Sequence, residues 1–428
     1  GKYLLPVFLK HNIYTMPQFL EQRFDNRVRI ILGTFWVGVY VCVNLTSILW
    51  LGALAINTVT GLDIIYAMLI LAGFATAYSI YGGLKAVALT DIIQVILLVM
   101  GGLFIAYFAL NKISNNQGVI TGFVMMTEII PEKFDLILSK DSPHYNNLPG
   151  ISVLVGGMWV MNLSYWGFNQ YIIQRALAAK NIHEAQKGII FAAFLKILMP
   201  IIVVLPGVAA VILTPNLVTP DKAYPEIMKL LPAGLAGLVF AALIAAIVSS
   251  LSSMMNSIST IFTLDIFPSF NKKHKTQEQL VKIGRIVSLS AISIATIIAK
   301  PLLGQFDQAF QYIQEFTGFF TPGVVAIFLL AIFWKKMTAN AAIIVALGSA
   351  ILSLAMKFSW PSLPFIDRVG LVFILCLIIG VVISKLDVQK EYSNSIDYKI
   401  INTSTTWGFN LSAISVILML IALYLTWW

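Results

Sequence analysis

Lys196 is the only charged residue between Lys187 and Asp221, and it lies inside the apolar run GIIFAAFLKILMPIIVVLPGVAAVIL, residues 188–213. A bilayer-crossing helix needs about 20 mainly apolar residues, so this run is long enough. An ammonium near the middle of a membrane costs roughly 3 kcal/mol and usually faces a partner or a wet cavity. A lysine close to an interface would instead snorkel to it. Lys196 is the ninth residue of the run, about 13 Å of helix from its start, and that depth favours a polar site within the membrane. Two other apolar segments carry uncharged hydrogen-bonding groups beside helix-weakening residues. ISVLVGGMWVMNLSYWGFNQ holds Gly156, Gly157, Asn162, Ser164, Gly167 and Asn169, and FQYIQEFTGFFTPG holds Gln311, Gln314, Glu315, Gly318, Pro322 and Gly323. Glycine and proline occur in membrane helices where neighbours or a cavity satisfy the freed backbone groups, and secondary transporters bind solutes at such breaks. Close packing at small residues explains each break equally well. A third segment, AALIAAIVSSLSSMMNSISTIFTLDIF, places Ser249, Ser253, Asn256 and Thr260 three or four apart, hence on one helix face. Serine stripes serve interhelical packing. The alternative is that hydroxyls and backbone carbonyls ligate a dehydrated monovalent cation, since hard cations take oxygen ligands.

The elements that must carry these groups follow from composition. Hydrophobic residues make up 59% of the 428-residue chain, charged residues 11%, and the mean hydropathy is +0.87. A soluble chain carries roughly a quarter charged residues, so this is an all-α polytopic membrane protein forming a single transmembrane domain over residues 1–428. The two cysteines, Cys42 and Cys376, lie in apolar segments and offer no disulfide framework. No HExxH, GxSxG or Walker A pattern occurs, which speaks against an enzyme, and neither a repeated filter motif nor rings of like charge point to a channel.

Eleven spans are expected, near 30–57, 64–82, 92–110, 151–169, 188–213, 233–263, 286–299, 309–334, 341–356, 369–384 and 408–428. They divide the loops into two sets. The set 1–29, 83–91, 170–187, 264–285, 335–340 and 385–407 holds 19 of the 28 Lys and Arg, and the opposite set holds 8. That asymmetry places the first set in the cytoplasm and the C-terminus outside. It also accounts for the net charge of +9 without nucleic acid as a partner.

At this point the motifs resemble a known family. YTMPQFLEQRF (residues 14–24), YSIYGGLKAVALTDIIQ (78–94), YWGFNQYIIQRALAAKNIHEAQKG (165–188), VSSLSSMMNSISTIFTLDIF (248–267) and FQYIQEFTGFFTPG (310–323) occur in the order seen in the sodium/solute symporter family. The resemblance covers essentially the whole chain and is strongest to the bacterial sodium/galactose branch. It implies a five-plus-five inverted-repeat fold with discontinuous first helices, multi-pass in a bacterial inner membrane. It implies co-transported sodium, a hexose substrate (galactose or glucose) and, as an option, a homodimer. By resemblance the sugar is bound by Asn162, Lys196 and Gln314. Tyr165 is the inner gate with Trp166 beside it, Phe310 is an outer gate, and Tyr40 and Asn44 line the cavity. The sodium site uses the Ala246 carbonyl and the Ser249 and Ser250 hydroxyls, with Asp91 on the sodium exit path. Another polar solute (sialic acid, myo-inositol, a nucleoside), or a channel or sensor on the same fold, is the alternative. Gly1 is not an initiator methionine, and the family's first helices have no counterpart here. The chain is therefore expected to be a fragment that carries half of the site and does not transport by itself.

Overall fold

The computed structural model describes residues 1–142, 144–146, 148–217, 219–270, 275–304, 308–387 and 401–428, without the side chains of residues 81, 83–88 and 310. Two short helices, Leu5–Lys10 and Met16–Arg23, open the chain. The membrane-length elements follow in order: α1 (Asn26–Thr60), α2 (Ile64–Ile80), α3 (Leu89–Ile113), α4 (Gly150–Phe168), α5 (Ile182–Leu213), α6 (Ala233–Phe270) and α7 (Gln277–Leu303). Then come the two halves of a broken span, α8 (Ala309–Gly318) and α9 (Thr321–Phe333), and finally α10 (Ala339–Ser359), α11 (Phe365–Leu386) and α12 (Trp407–Thr426). Nine of these are long and apolar enough to cross a membrane, and α8 with α9, bent by 49°, makes a tenth, all counted among the described residues. At 17 residues α2 is shorter than the other spans, so length and composition support up to ten crossings among the described residues where eleven are expected from sequence.

The boundary between α2 and α3 needs an argument, because the helical backbone continues from Ile64 to Ile113. Contacts along α6 settle the path. Leu71 and Ile247 both crowd Gly52, and Ser79 Oγ donates to Asn256 Oδ1 at 3.1 Å, so α2 advances with α6. Asp91 meets Ser249, and Gly101 packs on Val239, so α3 runs against it. The Tyr78 and Thr90 hydroxyls also touch, although twelve residues of straight helix would separate them by about 18 Å. The chain therefore reverses between Tyr78 and Thr90, where the sequence places its loop.

Loops assigned to one side meet at one end of the bundle. Gln170 Oε1 accepts from Met16 N at 2.9 Å and its Nε2 donates to Tyr14 O at 3.1 Å, while Thr15 Oγ1 donates to Asp265 Oδ1 at 3.0 Å. Arg23, 3% exposed, donates to the carbonyls of Ala331, Lys335 and Met337 at 3.1, 3.1 and 3.3 Å. Those carbonyls lie at and just beyond the C-terminus of α9, where the helix dipole favours a cation. Burial lowers the Arg23 guanidinium to about 10, which leaves it charged at neutral pH. At the other end Leu136 N bonds Trp427 O at 2.9 Å, and Asp221 Oδ2 caps the first turn of α8 by accepting from Ala309 N at 2.8 Å. Burial pushes the Asp221 carboxyl above the usual carboxylate range.

The core is aromatic where the opening helices meet the bundle. Phe328 of α9 stacks on Phe168 (centroids 4.4 Å apart) and on Phe19 (5.4 Å), and Phe8 meets Phe19 edge-on at 5.2 Å. This cluster ties Leu5–Arg23 to the exit of α4. On the other flank α4 touches α11 backbone to backbone, since a Cβ at Gly157 would land on the Ile366 carbonyl. Gly157→Ala must push the two helices apart and should cost about 1–3 kcal/mol. Thermal unfolding of purified protein checks this against Gly237→Ala, where nothing lies within 4 Å and no loss is expected.

Candidate functional site

Among the described residues, four one-turn π-helical segments interrupt the spans: Tyr40–Leu45, Ser164–Phe168, Pro200–Val204 and Phe262–Ile266. An extra residue per turn shifts the phase of the side chains that follow and opens the hydrogen-bond ladder, and such bulges gather at functional sites. Three of the four hold, or directly follow, residues singled out from sequence. Tyr40 and Asn44 lie in the first and Tyr165 and Trp166 in the second. The third begins at Pro200, one turn after Lys196 and with no N–H to give.

Asn162, Tyr165, Trp166 and Lys196 are all exposed, and they form one face. Asn162 precedes Tyr165 and Trp166 by three and four residues, so the three are neighbours on the helix surface. The two rings meet edge to face at 5.4 Å, and Lys196 Nζ lies over the Trp166 ring, 6.0 Å from its centroid. Asn162 Nδ2 donates to Met158 O at 2.9 Å, which leaves Oδ1 to accept. The surroundings of Lys196 are thus an open face in the structure. The physical reason is thin packing, since only 6% of the apolar stretch of α5 and 28% of that of α4 is buried inside the fold. Tyr40, by contrast, is 1% exposed and donates from its hydroxyl to Asn169 Oδ1 at 2.7 Å.

Gln314 is half-buried on α8, and no hydrogen bond joins it to Lys196 among the described residues. Its helix packs instead on the Tyr40–Leu45 segment, where Tyr312 and Val43 share a small buried cluster. Gln314 and Asn44 are therefore carried by neighbouring elements. The Phe310 side chain lies outside the described residues.

The residues assigned to sodium lie on α6. Ser249 is 3% exposed and its hydroxyl donates to Asp91 Oδ1, while Ala246 and Ser250 are half-buried. Arg175 closes the group by donating to Asp91 Oδ2 at 2.7 Å and to Ser253 Oγ at 2.9 Å. Three segments far apart in sequence thus meet around one carboxylate. The serine stripe also serves packing, because Asn256 bonds Ser79 of α2.

Arg175 was not legible as part of this group. It follows the break at Asn169, and only its place in the YWGFNQYIIQRAL stretch marked it. Asp265 was missed too. It is 2% exposed, Thr15 serves its Oδ1, and its Oδ2 has no partner among the described residues. The signal was an acid at the foot of an apolar span.

With this geometry established, comparison with known proteins places the chain. Residues 1–348 match the model of the "Sodium:solute symporter family". The chain is 46% identical over 450 residues to the sodium/glucose cotransporter of Vibrio parahaemolyticus, covering all of this chain and 82% of that protein. It is 30% identical over 371 residues to sodium/glucose cotransporter 1 of Ovis aries, covering 79% of this chain and 55% of that protein. It therefore spans about half the length of the sheep relative. A solved structure of a Na⁺-coupled sialic acid symporter, in a substrate-bound outward-open state, superposes with a TM-score of 0.76 at 25% identity, covering 90% of this chain and 80% of that one. That match, with the breaks in α4 and between α8 and α9, bears out the expected discontinuous-helix fold.

Asn169 Oδ1 accepts both from Tyr40 and from Tyr171 N, where it caps the next helix. Tyr40→Phe removes one of these bonds and Asn169→Ala removes both. The second variant should therefore lose more stability, by about 1 kcal/mol for the cap, in thermal melts of the two proteins side by side.

Proposed function

The chain belongs to the sodium:solute symporter family, and on that premise we propose that the protein is a sodium-coupled symporter importing a hexose by alternating access. The observation that carries this reading is the exposed face of Asn162, Tyr165, Trp166 and Lys196, in a chain 46% identical along its whole length to a sodium/glucose cotransporter. A pyranose offers hydroxyls that donate and accept, together with an apolar ring face. Lys196 donates, Asn162 and Gln314 do both, and Tyr165 and Trp166 stack. Asn44 lines the path, while Tyr40, buried and bonded to Asn169, braces it from behind rather than lining it. A site built to pair with hydroxyls rejects solutes that lack them.

On the cation side, the Ala246 carbonyl and the Ser249 and Ser250 hydroxyls hold sodium. Donation from Ser249 to Asp91 turns the hydroxyl proton away and leaves the oxygen lone pairs to the ion. Arg175 occupies the other oxygen of Asp91, so the carboxylate tunes the site without trapping the cation. One sodium moving down 100 mV releases about 2.3 kcal/mol, and a tenfold gradient adds about 1.4 kcal/mol. One-to-one coupling therefore supports accumulation of roughly a few hundred-fold.

Uptake and counterflow of labelled glucose, galactose, myo-inositol and sialic acid in proteoliposomes of the full-length protein test the assignment. Sodium-dependent accumulation of a hexose is expected, and flux without accumulation would overturn it.

Two sets of variants divide the roles. Ser249→Ala and Ser250→Ala should each raise the sodium concentration for half-maximal uptake, and wild-type sodium dependence in both would reduce the stripe to packing. Lys196→Ala should weaken sugar binding several-fold, the effect of about 1 kcal/mol for one hydrogen bond made on an open face, while leaving sugar-free sodium binding near normal. Binding isotherms separate the two effects, and near-normal sugar affinity would remove Lys196 from the site.

A further inference from the structure

The break between α8 and α9 is held by one face of α10 and the start of α11. Ser349, Ser353 and Lys357 recur every four residues along α10, so they form a ladder on one side of that helix. Ser349 Oγ and Ser353 Oγ both donate to the Phe319 carbonyl, at 3.0 and 3.3 Å, and Ser349 Oγ also accepts from Gly323 N at 3.0 Å. One rung further, Lys357 Nζ lies 2.7 Å from Glu315 Oε1 on α8. Arg368 of α11 reaches the same oxygen at 3.3 Å, with its side chain only 8% exposed. Both cations also sit over the ring of Phe319 at the break, Lys357 at 5.8 Å and Arg368 at 5.4 Å from its centroid.

These contacts converge on the short segment where the span bends by 49°. The serines satisfy a carbonyl that the break leaves without a helical partner. The cations grip the hinge ring and the last acidic side chain before it. The far end of α8 is fixed separately by Asp221, so Glu315 is the charged anchor of its inner end.

We propose that Glu315, Lys357 and Arg368, with Ser349 and Ser353, lock the angle of this break and so act as positioning residues for Gln314. Gln314 adjoins Glu315, about 100° round the helix from it. Holding Glu315 against two neighbouring helices therefore sets the direction in which Gln314 points. The role given to Gln314 rests on the symporter reading above. The lock itself rests on the geometry of the break.

The test uses the full-length protein with Cys42, the exposed native thiol, replaced by serine. Thr317→Cys is added at the inner end of α8, beside the break, where the native side chain is half-buried. Labelling by a membrane-impermeant maleimide, without any solute, reports the freedom of α8. Lys357→Met should speed labelling about three- to tenfold, the scale of one partly exposed charge-assisted contact, and Lys357→Arg should stay within about twofold of the parent. In transport, Lys357→Met should raise the sugar concentration for half-maximal uptake by a similar factor, with the sodium requirement and the maximal rate unchanged. Unchanged labelling in Lys357→Met overturns the lock. Faster labelling that Lys357→Arg fails to restrain overturns it as well, because charge would then not be the cause. Glu315→Gln leaves Arg368 buried without its carboxylate, and if that variant does not fold, Lys357→Met decides alone. Absence of sodium-driven sugar uptake in the parent would overturn the transport reading, while the labelling result would still judge the lock.

Discussion

Every backbone N–H and C=O inside a bilayer must find its partner within the protein, because hydrocarbon offers none. A continuous helix meets that demand alone, whereas a broken one must borrow partners from its neighbours. The breaks in this chain show where the borrowing occurs. At Phe319 the carbonyl is served by two serines of α10. At Asn169 the side chain caps the helix that follows and also ties back to Tyr40. At Gly156 the backbone takes a twisted geometry with φ −116° and ψ −113°, and the next residue has no room for a side chain. The rest of the architecture is arranged so that these interruptions stay satisfied.

The same constraint governs charge. The spans hold few ionised groups, and two of their carboxylates are paired with cations. Asp91 has Arg175 and Ser249, and Glu315 has Lys357 and Arg368. Among the described residues Lys196 has the face of Trp166 rather than a carboxylate, an attraction that uses none of its three N–H donors. Just outside the spans, Arg23 is held by carbonyls alone. The two paired carboxylates therefore act as joints between helices. Alternating access needs elements that are joined firmly at some points and free at others, and these joints supply the firm points.

The course of most spans, the reversal between α2 and α3, and the division of loops between two ends were legible before any coordinates. Hydropathy and the Lys/Arg asymmetry act over whole segments and do not depend on which helices touch. The breaks at Gly156–Gly157 and Gly318–Pro322 were legible for a similar reason, since glycine and proline act on the local backbone. The stripe on α6 was legible as a stripe. Which of its members bonds a neighbour was not, because that depends on Ser79, Asp91 and Arg175 arriving from other parts of the chain.

By itself, then, the sequence determined an all-helical membrane protein, where its helices run, where they break, and that Lys196 is a charge placed deep in an apolar span. Only the tertiary structure decided the company those residues keep. It put Arg175 beside Asp91 across 84 positions and Arg368 beside Glu315 across 53. It also set Lys196 over the face of Trp166. The reason is one of range. Helix formation and membrane insertion are written in segments of about 20 residues, whereas a hydrogen bond forms only within about 3 Å of its partner. Which residues come that close depends on the packing of the whole bundle.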